Sequence, residues 1–368
     1  MDSPAFDKCD NQIWDMTSHI LKDLLKDVPA VLYSSLGVSI ASVILEINGK
    51  KQIVAIGTGN SCLSQNQQST LQHNLIFDSH SVTIVRRALK VFLFEEVHKF
   101  HNEQLSENCI FTKSKKHDLL HLKENVKFHI FMSRSPDILL VKKTGLHVYS
   151  EGGDTFMSTS VAKKYMMICK NRNVVMTDDS KLLQWSVIGW QGALLSHLIA
   201  PIYMSSCTVG YHSKRHVPNI STCFAMADDS INQDLPEGYR YIEPETCKFL
   251  IKEYNDQIPF ETKMLSVNWY DKQKNAEIID GSCGEISFCS PHKCISERSR
   301  LCKASLFQIF RNVAEKMGRF DLLQGRTYRN SKIASSSYMQ SKSVLHQYFS
   351  VNRMGSWINR SEDIDKFT

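Results

Sequence analysis

Asn48-Gly49 stands between two runs of residues that favour β-structure, at positions 42–47 and 52–56. Asn-Gly readily adopts the positive φ angles of a two-residue turn, so this pattern predicts a β-hairpin. The tripeptide Gly57-Thr58-Gly59 lacks the third glycine and the βαβ context of a phosphate-binding loop, and it is interpreted as a turn. The domain is therefore expected to open with a hairpin.

Beyond the hairpin, apolar patterns predict strands that alternate with helices. Strand-like runs occur at 126–132, near 176, at 201–204, and as a second hairpin at 264–269 and 277–279. Apolar side chains at three- and four-residue spacing predict helices at 11–27, 80–100 and 181–198, and a mostly helical stretch at 299–348. Asp78 and Ser79 are placed to cap the helix at 80–100.

The 368 residues allow one large domain or two ordinary ones. No fixed repeat or low-complexity linker divides the chain, so we expect an N-terminal helical segment at 1–28 and a single domain at 29–368. Hydrophobic residues make up 42% and charged residues 22%, which is typical of a globular protein and excludes broad disorder. The net charge of +6 permits a polyanionic partner without requiring one.

Eleven cysteines occur at irregular intervals, and none of them forms a C-x-x-C pair. An odd count without an N-terminal signal segment favours a reducing cytosolic or nuclear compartment over a disulfide framework. The longest apolar stretch, at 30–45, is too short for a bilayer span and contains several serines. No transmembrane segment is expected.

Residues 78–82 read Asp-Ser-His-Ser-Val, and a helix with two consecutive arginines follows. A zinc deaminase carries H-x-E at such a place: the His binds the metal, and the Glu moves a proton between the zinc-bound water and the leaving amine. Here Val82 stands at the Glu position, and an alkyl side chain can neither accept nor donate a proton. Taken alone, His80 is interpreted as a capping or core histidine.

A series of short runs carries a resemblance that covers about residues 38–368. In chain order they are Ile56-Gly-Thr-Gly59, Asp78-Ser-His80, Arg86-Arg-Ala-Leu89, Trp185-Ser-Val-Ile-Gly189, Gln191-Gly-Ala-Leu-Leu-Ser196, Pro201-Ile-Tyr203, Ser205-Ser206, Ser299-Arg-Leu-Cys-Lys303 and Gly355-Ser-Trp357. The chain thereby resembles the deaminase domain of the adenosine deaminases acting on RNA. Val82 and the run at 342–367 are most similar to its germ-cell branch, the adenosine deaminase domain-containing proteins of the testis nuclear RNA-binding protein type. The resemblance implies an α/β fold: a three-layer α/β/α, cytidine-deaminase-like core with a mixed sheet and a helical C-terminal portion.

The resemblance also indicates where the zinc site has changed. Active members complete the site with two cysteines, one directly after a proline and one just before the helix that carries Trp185. Asp137 and Asp178 stand at those two positions in this chain. His80, Asp137 and Asp178 could gather a hard cation such as magnesium or manganese, because carboxylates suit those ions. The expected state is nevertheless a degenerate site without metal, and zinc is not expected.

Active relatives hold a buried inositol hexakisphosphate inside the domain, and most of the matching side chains are retained here. By resemblance, the ligand would be bound by Arg86, Arg87, Lys181, Trp185, Gln191, Lys303, Tyr328, Lys332, Tyr338, Lys342, Trp357 and Asp365. Gln184, Ala193 and Asn359 depart from the pattern of the active family, in which the first is an Arg and the third is acidic. A group of buried cations needs a polyanion, because each unpaired buried charge costs several kcal/mol. The retained set therefore predicts this ligand as a structural component.

Evidence for an RNA-binding surface is weaker. Short basic clusters occur at 113–117, 163–164 and 213–216, and such clusters are usually solvated surface. Relatives carry a double-stranded-RNA-binding module before the deaminase domain, and the first 30 or so residues of this chain are too few for one. The loop that enters the RNA duplex in active enzymes should lie within 146–175, where the sequence does not match the active pattern.

Together with Val82, the resemblance to the germ-cell branch implies an RNA-associated pseudoenzyme with a role in RNA binding or processing during germ-cell development and spermatogenesis. Double-stranded or structured RNA is the expected partner, bound weakly without a separate module, and protein partners are a further expectation. The nucleus is the expected location, with the cytoplasm as a second one. Two alternatives stay open: an active double-stranded RNA adenosine deaminase with a rebuilt metal site, and a protein-interaction scaffold without RNA affinity.

Overall fold

The computed structural model describes residues 4–26, 39–63, 72–102, 109–113, 118–135, 145–150, 156–168, 173–211, 219–251, 264–287, 298–359 and 362–368. The helices are α1 (Pro4–Leu24), α2 (Ser81–Asn102), α3 (Thr159–Ile168), α4 (Asp178–Ile188), α5 (Gly192–Leu195), α6 (Ser221–Phe224), α7 (Lys303–Lys316), α8 (Tyr328–Ile333) and α9 (Ser336–Val351). Single 3₁₀ turns occur at Gln72–Asn74, Asp229–Gln233, Phe320–Leu323 and Glu362–Asp365.

The strands are β1 (Ile40–Ile47), β2 (Lys50–Thr58), β3 (Phe111–Lys113), β4 (Leu120–Leu122), β5 (Val126–Met132), β6 (His147–Tyr149), β7 (Phe156–Ser158), β8 (Val175–Met176), β9 (Met204–Tyr211), β10 (Glu245–Leu250), β11 (Leu265–Tyr270), β12 (Glu277–Asp280) and β13 (Glu285–Ile286). Eight of them form one sheet in the order β10-β9-β5-β1-β2-β11-β12-β13. The β5/β9 and β9/β10 pairs are parallel and the other pairs are antiparallel, so the sheet is mixed, as predicted. Two small sheets, β3-β4 and β7-β6-β8, lie outside it.

The hairpin predicted at Asn48-Gly49 joins β1 and β2. Asn48 has φ 51° and Gly49 has φ 78°, and Ile47 pairs with Lys50 across the turn. These positive φ angles are the ones that a tight hairpin turn requires, and Asn and Gly adopt them at low cost. The second predicted hairpin is also present, as β11 and β12.

Helices cover both faces of the sheet. Alternate residues of β1 point to opposite sides: Val43 and Leu45 pack in one core cluster with α2 and α7, whereas Ile44 packs in another cluster with α1. Since side chains of a strand alternate between faces, both faces of β1 are apolar. The arrangement is the three-layer α/β/α core with a helical C-terminal portion that was predicted.

Gly57 allows α2 to lie directly against β2. A Cβ atom at this position would be 2.5 Å from the backbone nitrogen of Val85 and 2.7 Å from the carbonyl oxygen of Ser81, distances that no side chain tolerates. The interpretation of residues 57–59 as a turn is wrong for its first two residues, which complete β2. The glycine serves close packing of helix on strand instead, and this packing fixes the start of α2.

The helix predicted at 181–198 is two helices. α4 begins three residues earlier than predicted, at Asp178, and ends before Gly189, which has φ 75°. The side chain of Gln191 then stabilises the break, because its amide donates to the carbonyl of Ile188 and its oxygen accepts from the backbone of Ile202. The strand predicted at 201–204 is wrong except for its last residue, because β9 starts at Met204. The backbone of Ile202 bonds instead to the segment between α4 and α5, where its carbonyl accepts from the N–H of Trp190.

The N-terminal helix was predicted at 11–27 and extends from Pro4 to Leu24. It packs against β2 and β10 through apolar residues that include Ile13 and Leu21. The division of the chain at residue 28 stays a prediction, because residues 27–38 lie outside the described part.

The helical stretch predicted at 299–348 consists of α7, α8 and α9. Among the cysteines that the structure describes, none forms a disulfide. Of the helices in the ranges given above, none has the length and apolar character of a membrane span.

Candidate functional site

His80 lies immediately before α2, at the edge of the core. Its Nδ1 atom is 2.9 Å from Asp78 Oδ1, and its ring stacks on Tyr149 with 4.2 Å between the ring centroids and 12° between the planes. Asp78 Oδ1 also accepts the backbone N–H of His80, which precedes α2, and Ser79 Oγ donates to the carbonyl of Ser61. The predicted capping of helix N–H groups by Asp78 and Ser79 is therefore wrong: within the first turn, Asp78 accepts from the hydroxyl of Thr83 instead. Nε2 of His80 is buried and has no hydrogen-bond partner among the residues that the structure describes.

Lys181 joins Asp78 to Asp178. Its Nζ atom lies 2.9 Å from Asp78 Oδ2 and 3.0 Å from Asp178 Oδ1, and all three side chains are largely buried. Burial opposes the charge on Asp78, but the neighbouring Lys181 and His80 hold the pKa of its carboxyl well below the usual range. Burial likewise opposes the charge on Lys181, and the two carboxylates more than offset it, so the pKa of Lys181 is raised. We call Asp78, His80, Asp178 and Lys181 the ionic centre.

Val82 lies in the first turn of α2 and is 2% exposed. It belongs to the main hydrophobic cluster, together with Ile84 and Val85 of the same turn. The position that the resemblance assigns to the proton-transferring Glu of zinc deaminases is therefore part of the apolar core.

The three predicted metal-site residues have different outcomes. His80 and Asp178 belong to the ionic centre, whereas Asp137 lies outside the described residues. Among the residues with coordinates in the stated ranges, no group of three His, Cys, Asp or Glu side chains is placed to hold a metal ion. Zinc does not fit these residues well, since they offer one imidazole nitrogen and one carboxylate that an ammonium already engages. That no metal binds stays a prediction.

A second group of charges lies between α2 and the C-terminal helices. We call it the cationic cluster: it consists of Arg86, Arg87, Lys90, Lys303, Lys332 and Lys342. Helix α2 supplies the first three residues, and α7, α8 and α9 supply one each. The cluster thus unites segments that are far apart in the sequence.

The cations of the cluster act strongly on one another. Burial, and then the charges of Arg86, Arg87, Lys303 and Lys332, hold the pKa of Lys90 well below its usual range. Burial and the charge of Lys332 lower the pKa of Lys342 to about 8. Two nitrogens of Arg86, Nε and Nη2, are buried and have no hydrogen-bond partner within the described part of the chain.

Asp365 is the acidic side chain that the structure places in the cluster. Its carboxylate lies 2.5 Å from Lys303 Nζ and 2.9 Å from Lys332 Nζ. The segment that carries it is held by Phe367, which stacks on Tyr328 at 5.2 Å and accepts the backbone N–H of Tyr328. Within the described part of the chain this carboxylate pairs with two of the six basic side chains, so the cluster keeps an excess of positive charge.

Aromatic side chains form the walls of the cluster. The guanidinium of Arg86 lies 4.5 Å from the ring centroid of Trp185, and the hydroxyl of Tyr338 is beside the same guanidinium. Trp357 stacks on His346 at 5.5 Å, and burial next to Lys342 lowers the pKa of His346 to about 4. His346 in turn contacts the amide of Gln184, which stands where active relatives are expected to have an Arg.

Two residues assigned by resemblance to the phosphate ligand are engaged elsewhere. Lys181 makes its ion pairs in the ionic centre. The side-chain amide of Gln191 makes its hydrogen bonds within the α4–α5 break. The next residue, Gly192, does face the cluster, because a Cβ atom at this position would lie 3.5 Å from Arg86 Nη2. The structure brings together the other residues of that set that carry charge, and it adds Lys90, which sequence reasoning missed. Lys90 follows Arg86 by four residues, a spacing that places both side chains on one face of a helix, and this spacing could have predicted it.

The cluster fits a compact polyanion. Two guanidinium nitrogens of Arg86 are buried without a partner, the pKa values of Lys90 and Lys342 are lowered, and the described residues supply one carboxylate. These features are typical of a site whose counter-charge comes from a ligand. Phosphate groups suit such donors, because Arg binds them through two parallel hydrogen bonds and Lys binds them as a point charge.

The basic clusters predicted at the surface are only partly described. Lys163 and Lys164 are exposed on α3, next to Val161 and Met167, which are 54% and 77% exposed. Residues 114–117 and 212–218 lie outside the described part. Within 146–175, where the RNA-entering loop was predicted, the structure contains β6, β7 and α3.

Comparison with known proteins agrees with this geometry. A family model described as the adenosine-deaminase (editase) domain matches residues 55–137 and 141–361. The chain is similar to a double-stranded RNA-specific adenosine deaminase of Rattus norvegicus, with 27% identity over 359 residues, which cover 86% of this chain and 29% of that protein.

Two further relatives extend the comparison. A double-stranded RNA-specific editase B2 of Rattus norvegicus is 25% identical over 345 residues, which cover 86% of this chain and 44% of that protein. A tRNA-specific adenosine deaminase 1 of Drosophila melanogaster is 27% identical over 180 residues, 42% of this chain and 43% of that protein. The chain therefore spans less than half the length of the curated relatives it matches.

Proposed function

Because this chain belongs to the adenosine-deaminase (editase) domain family of A-to-I RNA deaminases, we propose that it binds structured RNA without deaminating it. The observation that carries the proposal is Val82. A buried isopropyl group in the apolar core stands where the chemistry needs an acid and base, and no proton can pass through it.

Asp78 and Asp178 are poorly suited to replace the missing Glu. Asp78 and Asp178 are both held by the ammonium of Lys181, and Asp78 also accepts from Thr83 Oγ1 at 3.2 Å. A carboxylate that is fixed in buried ion pairs with a strongly lowered pKa is a poor general base near neutral pH. These contacts support a protein that keeps the fold of a deaminase and uses it for binding.

Inositol hexakisphosphate is the second part of the proposal, as a structural component of the domain. Arg86, Arg87, Lys90, Lys303, Lys332 and Lys342 would hold its phosphates, with Trp185, Trp357, Tyr328 and Tyr338 around them. When bound, the ligand supplies the negative charge that the cluster lacks. Asp365 would remain paired with Lys303 and Lys332 and orient both ammonium groups.

RNA is proposed as partner because two of the relatives are named as specific for double-stranded RNA and this chain carries a net charge of +6. Lys163 and Lys164, exposed on α3, are candidates for phosphate contacts. Binding to a duplex should therefore weaken steeply as the salt concentration rises.

The deciding experiment incubates the purified full chain with an adenosine-containing RNA duplex and measures both RNA binding and inosine formation. Salt-dependent binding without inosine is the expected result. Inosine would overturn the proposal and favour the active enzyme with a rebuilt metal site. If the chain does not bind the duplex even at low salt, the proposed RNA binding is wrong and a protein-interaction scaffold is favoured.

A pair of variants localises the RNA-binding surface. Lys163→Gln/Lys164→Gln should reduce the slope of log affinity against log salt by about 1 for each RNA phosphate that the variant no longer binds. Lys127→Gln/Lys248→Gln removes two exposed lysines from β5 and β10 and serves as the matched control. Equal effects of the two variants would mean that α3 does not bind the RNA.

The cellular setting is part of the same proposal. A role in RNA processing during spermatogenesis, in the nucleus and secondarily in the cytoplasm, follows from the resemblance to the germ-cell branch. Imaging of the endogenous protein in testis sections, with RNA crosslinking from the same tissue, tests it. Uniform expression across tissues would contradict it.

A further inference from the structure

We propose that Asp178, by pairing with the ammonium of Lys181, closes the former metal centre, so that this centre is stabilised by ion pairs and does not take up zinc. The proposal deepens the proposed function, since it explains how the fold tolerates the loss of a metal, but its tests do not depend on RNA. It rests on the contacts of Lys181, Asp78, Asp178, His80 and Tyr149.

The first step is the position of the positive charge. Lys181 Nζ lies 2.9 Å from Asp78 Oδ2 and 3.0 Å from Asp178 Oδ1, within the range of charge-assisted hydrogen bonds. The side chains of Lys181, Asp78 and Asp178 are 7%, 11% and 11% exposed. A further cation bound by Asp178 would meet this ammonium at close range in a poorly solvated space, where like charges repel strongly.

The second step is the local sequence. Asp178 and Lys181 occupy the first turn of α4 at i and i+3, a spacing that places both side chains on the same face of a helix. An acidic side chain is also favourable in the first turn, near the positive end of the helix dipole. A neutral thiol at position 178 would leave Lys181 with Asp78 alone; the aspartate instead supplies a permanent counter-charge.

The third step is the imidazole. Nδ1 of His80 lies 2.9 Å from Asp78 Oδ1, and the ring of Tyr149 covers one face of the imidazole at 4.2 Å. Asp78 therefore links His80 and Lys181 through its two oxygens, with Thr83 Oγ1 as an additional donor to Oδ2. His80, Asp78, Lys181 and Asp178 form one continuous chain of contacts, and the imidazole contributes to the core packing through its face.

The decisive test is a titration of the ligand-loaded full chain with zinc chloride, in competition with a chromophoric chelator. Wild type should show no stoichiometric zinc site. Lys248→Met, which loses an exposed lysine on β10, is the matched control for Lys181→Met and should bind zinc like wild type. Lys181→Met frees both carboxylates and should raise zinc affinity at least tenfold. Lys181→Arg, which keeps the charge, should stay like wild type.

A stoichiometric zinc in wild type, bound no more tightly in Lys181→Met, would overturn the inference. Unchanged affinity in Lys181→Met together with no zinc in wild type would also overturn it, because the ammonium would then not be what excludes the metal. Loss of RNA binding leaves the inference intact and speaks only against the proposed function.

Thermal unfolding keeps the inference testable if Lys181→Met is poorly folded. Lys181→Met should lower the unfolding midpoint by about 10 °C, because two buried carboxylates lose their partner. Asp178→Asn should lower it less, since Asp78 still pairs with Lys181. In the variant with both changes, the decrease should be smaller than the sum of the two single decreases; strict additivity would show that Asp178 and Lys181 are not coupled and would overturn the inference.

Discussion

The ionic centre and the cationic cluster lie at opposite ends of one stretch of α2, and they solve the problem of buried charge in opposite ways. In the ionic centre the ammonium of Lys181 sits between two carboxylates of the same chain. In the cationic cluster the described residues supply one carboxylate, that of Asp365, and it pairs with two of the six basic side chains. Every charged side chain of the ionic centre therefore has a partner of opposite sign, whereas the cationic cluster keeps an excess of positive charge.

This difference concerns whether the chain itself supplies the counter-charges. In the ionic centre each charged side chain has a partner of opposite sign within the chain, so no ligand is needed to compensate it. In the cationic cluster most of the basic side chains have no such ion-pair partner among the residues that the structure describes. The comparison thus predicts that the cluster depends on a ligand and that the ionic centre does not.

The largest effect is expected from the ligand of the cluster. Purified, nucleic-acid-free protein should contain several phosphorus atoms per chain by elemental analysis. Protein refolded without inositol hexakisphosphate should gain about 4 kcal/mol in the free energy of unfolding when the ligand is added at 1,000 times its Kd, because it binds only the folded state.

Inorganic phosphate at the same total phosphate concentration is the control and should give a small part of this gain. An unfolding free energy that is insensitive to inositol hexakisphosphate would remove the contrast between the two regions.

The next effect is the response to alkaline pH, which should have opposite signs in the two regions. The pKa of Lys342 is about 8 in the folded chain against an ordinary value of 10.5, so the unfolded chain binds more protons between these values. Without ligand, the free energy of unfolding should therefore rise, by about 1–3 kcal/mol, as the pH increases from 8 towards 10.5. Lys181 contributes the reverse: its pKa is raised, so its stabilisation is lost only above pH 10.5.

Denaturant unfolding curves measured between pH 7 and pH 10 check this sign. Lys342→Met should flatten the rise, and bound inositol hexakisphosphate should abolish it. A ligand-free wild type whose stability falls over this interval would contradict the charge excess assigned to the cluster.

A smaller effect is expected from the single acid of the cluster. Asp365→Asn removes the partner of Lys303 and Lys332, and should cost about 1–3 kcal/mol without ligand and less with it, since the polyanion then holds both ammonium groups. Thermal unfolding with and without ligand measures the difference. Asp363→Asn, which breaks an exposed pair with Lys366, is the matched control, with a cost below about 1 kcal/mol. A cost of Asp365→Asn that is equal in both conditions would show that the ligand does not take over its role.

The smallest effect sharpens the description of the ionic centre. Thr83→Val deletes one of the two longer contacts to Asp78, a hydrogen bond of 3.2 Å, and should cost about 1 kcal/mol in the free energy of unfolding. Thr112→Val on the exposed edge of β3 is the isosteric control. A cost as large as that of losing a buried ion-pair partner would mean that Lys181 does not hold Asp78 in place.

Elements with local signals could be predicted from the sequence. Asn48-Gly49 determines the hairpin through its own φ preferences, and α2 follows from apolar spacing, so both were predicted to within a few residues. The break at Gly189 was missed because it depends on Gln191 and Ile202, which meet only in the folded chain. For the same reason the strand at 201–204 was placed too early.

The candidate site was less accessible to sequence reasoning. Membership of the cationic cluster came from the resemblance and not from any spacing, because the cluster joins α2 to residues near the other end of the chain. Lys90 was omitted, although it follows Arg86 by one helical turn. The partner of Lys181 could not be predicted, since Asp78 and Asp178 come from separate segments and only their packing shows that both face one ammonium.

The position of Asp365 and Phe367 also bears on the order in which the protein can be assembled during synthesis. The arginines of α2 leave the ribosome long before Asp365 and before Phe367, which stacks on Tyr328. Contacts between such distant parts of a chain form slowly, because a long loop must be closed first. The interior of this domain therefore stays incomplete until these residues have been made, and a nascent chain stalled before residue 362 would expose a cationic, half-built core to chaperones and to any polyanion nearby.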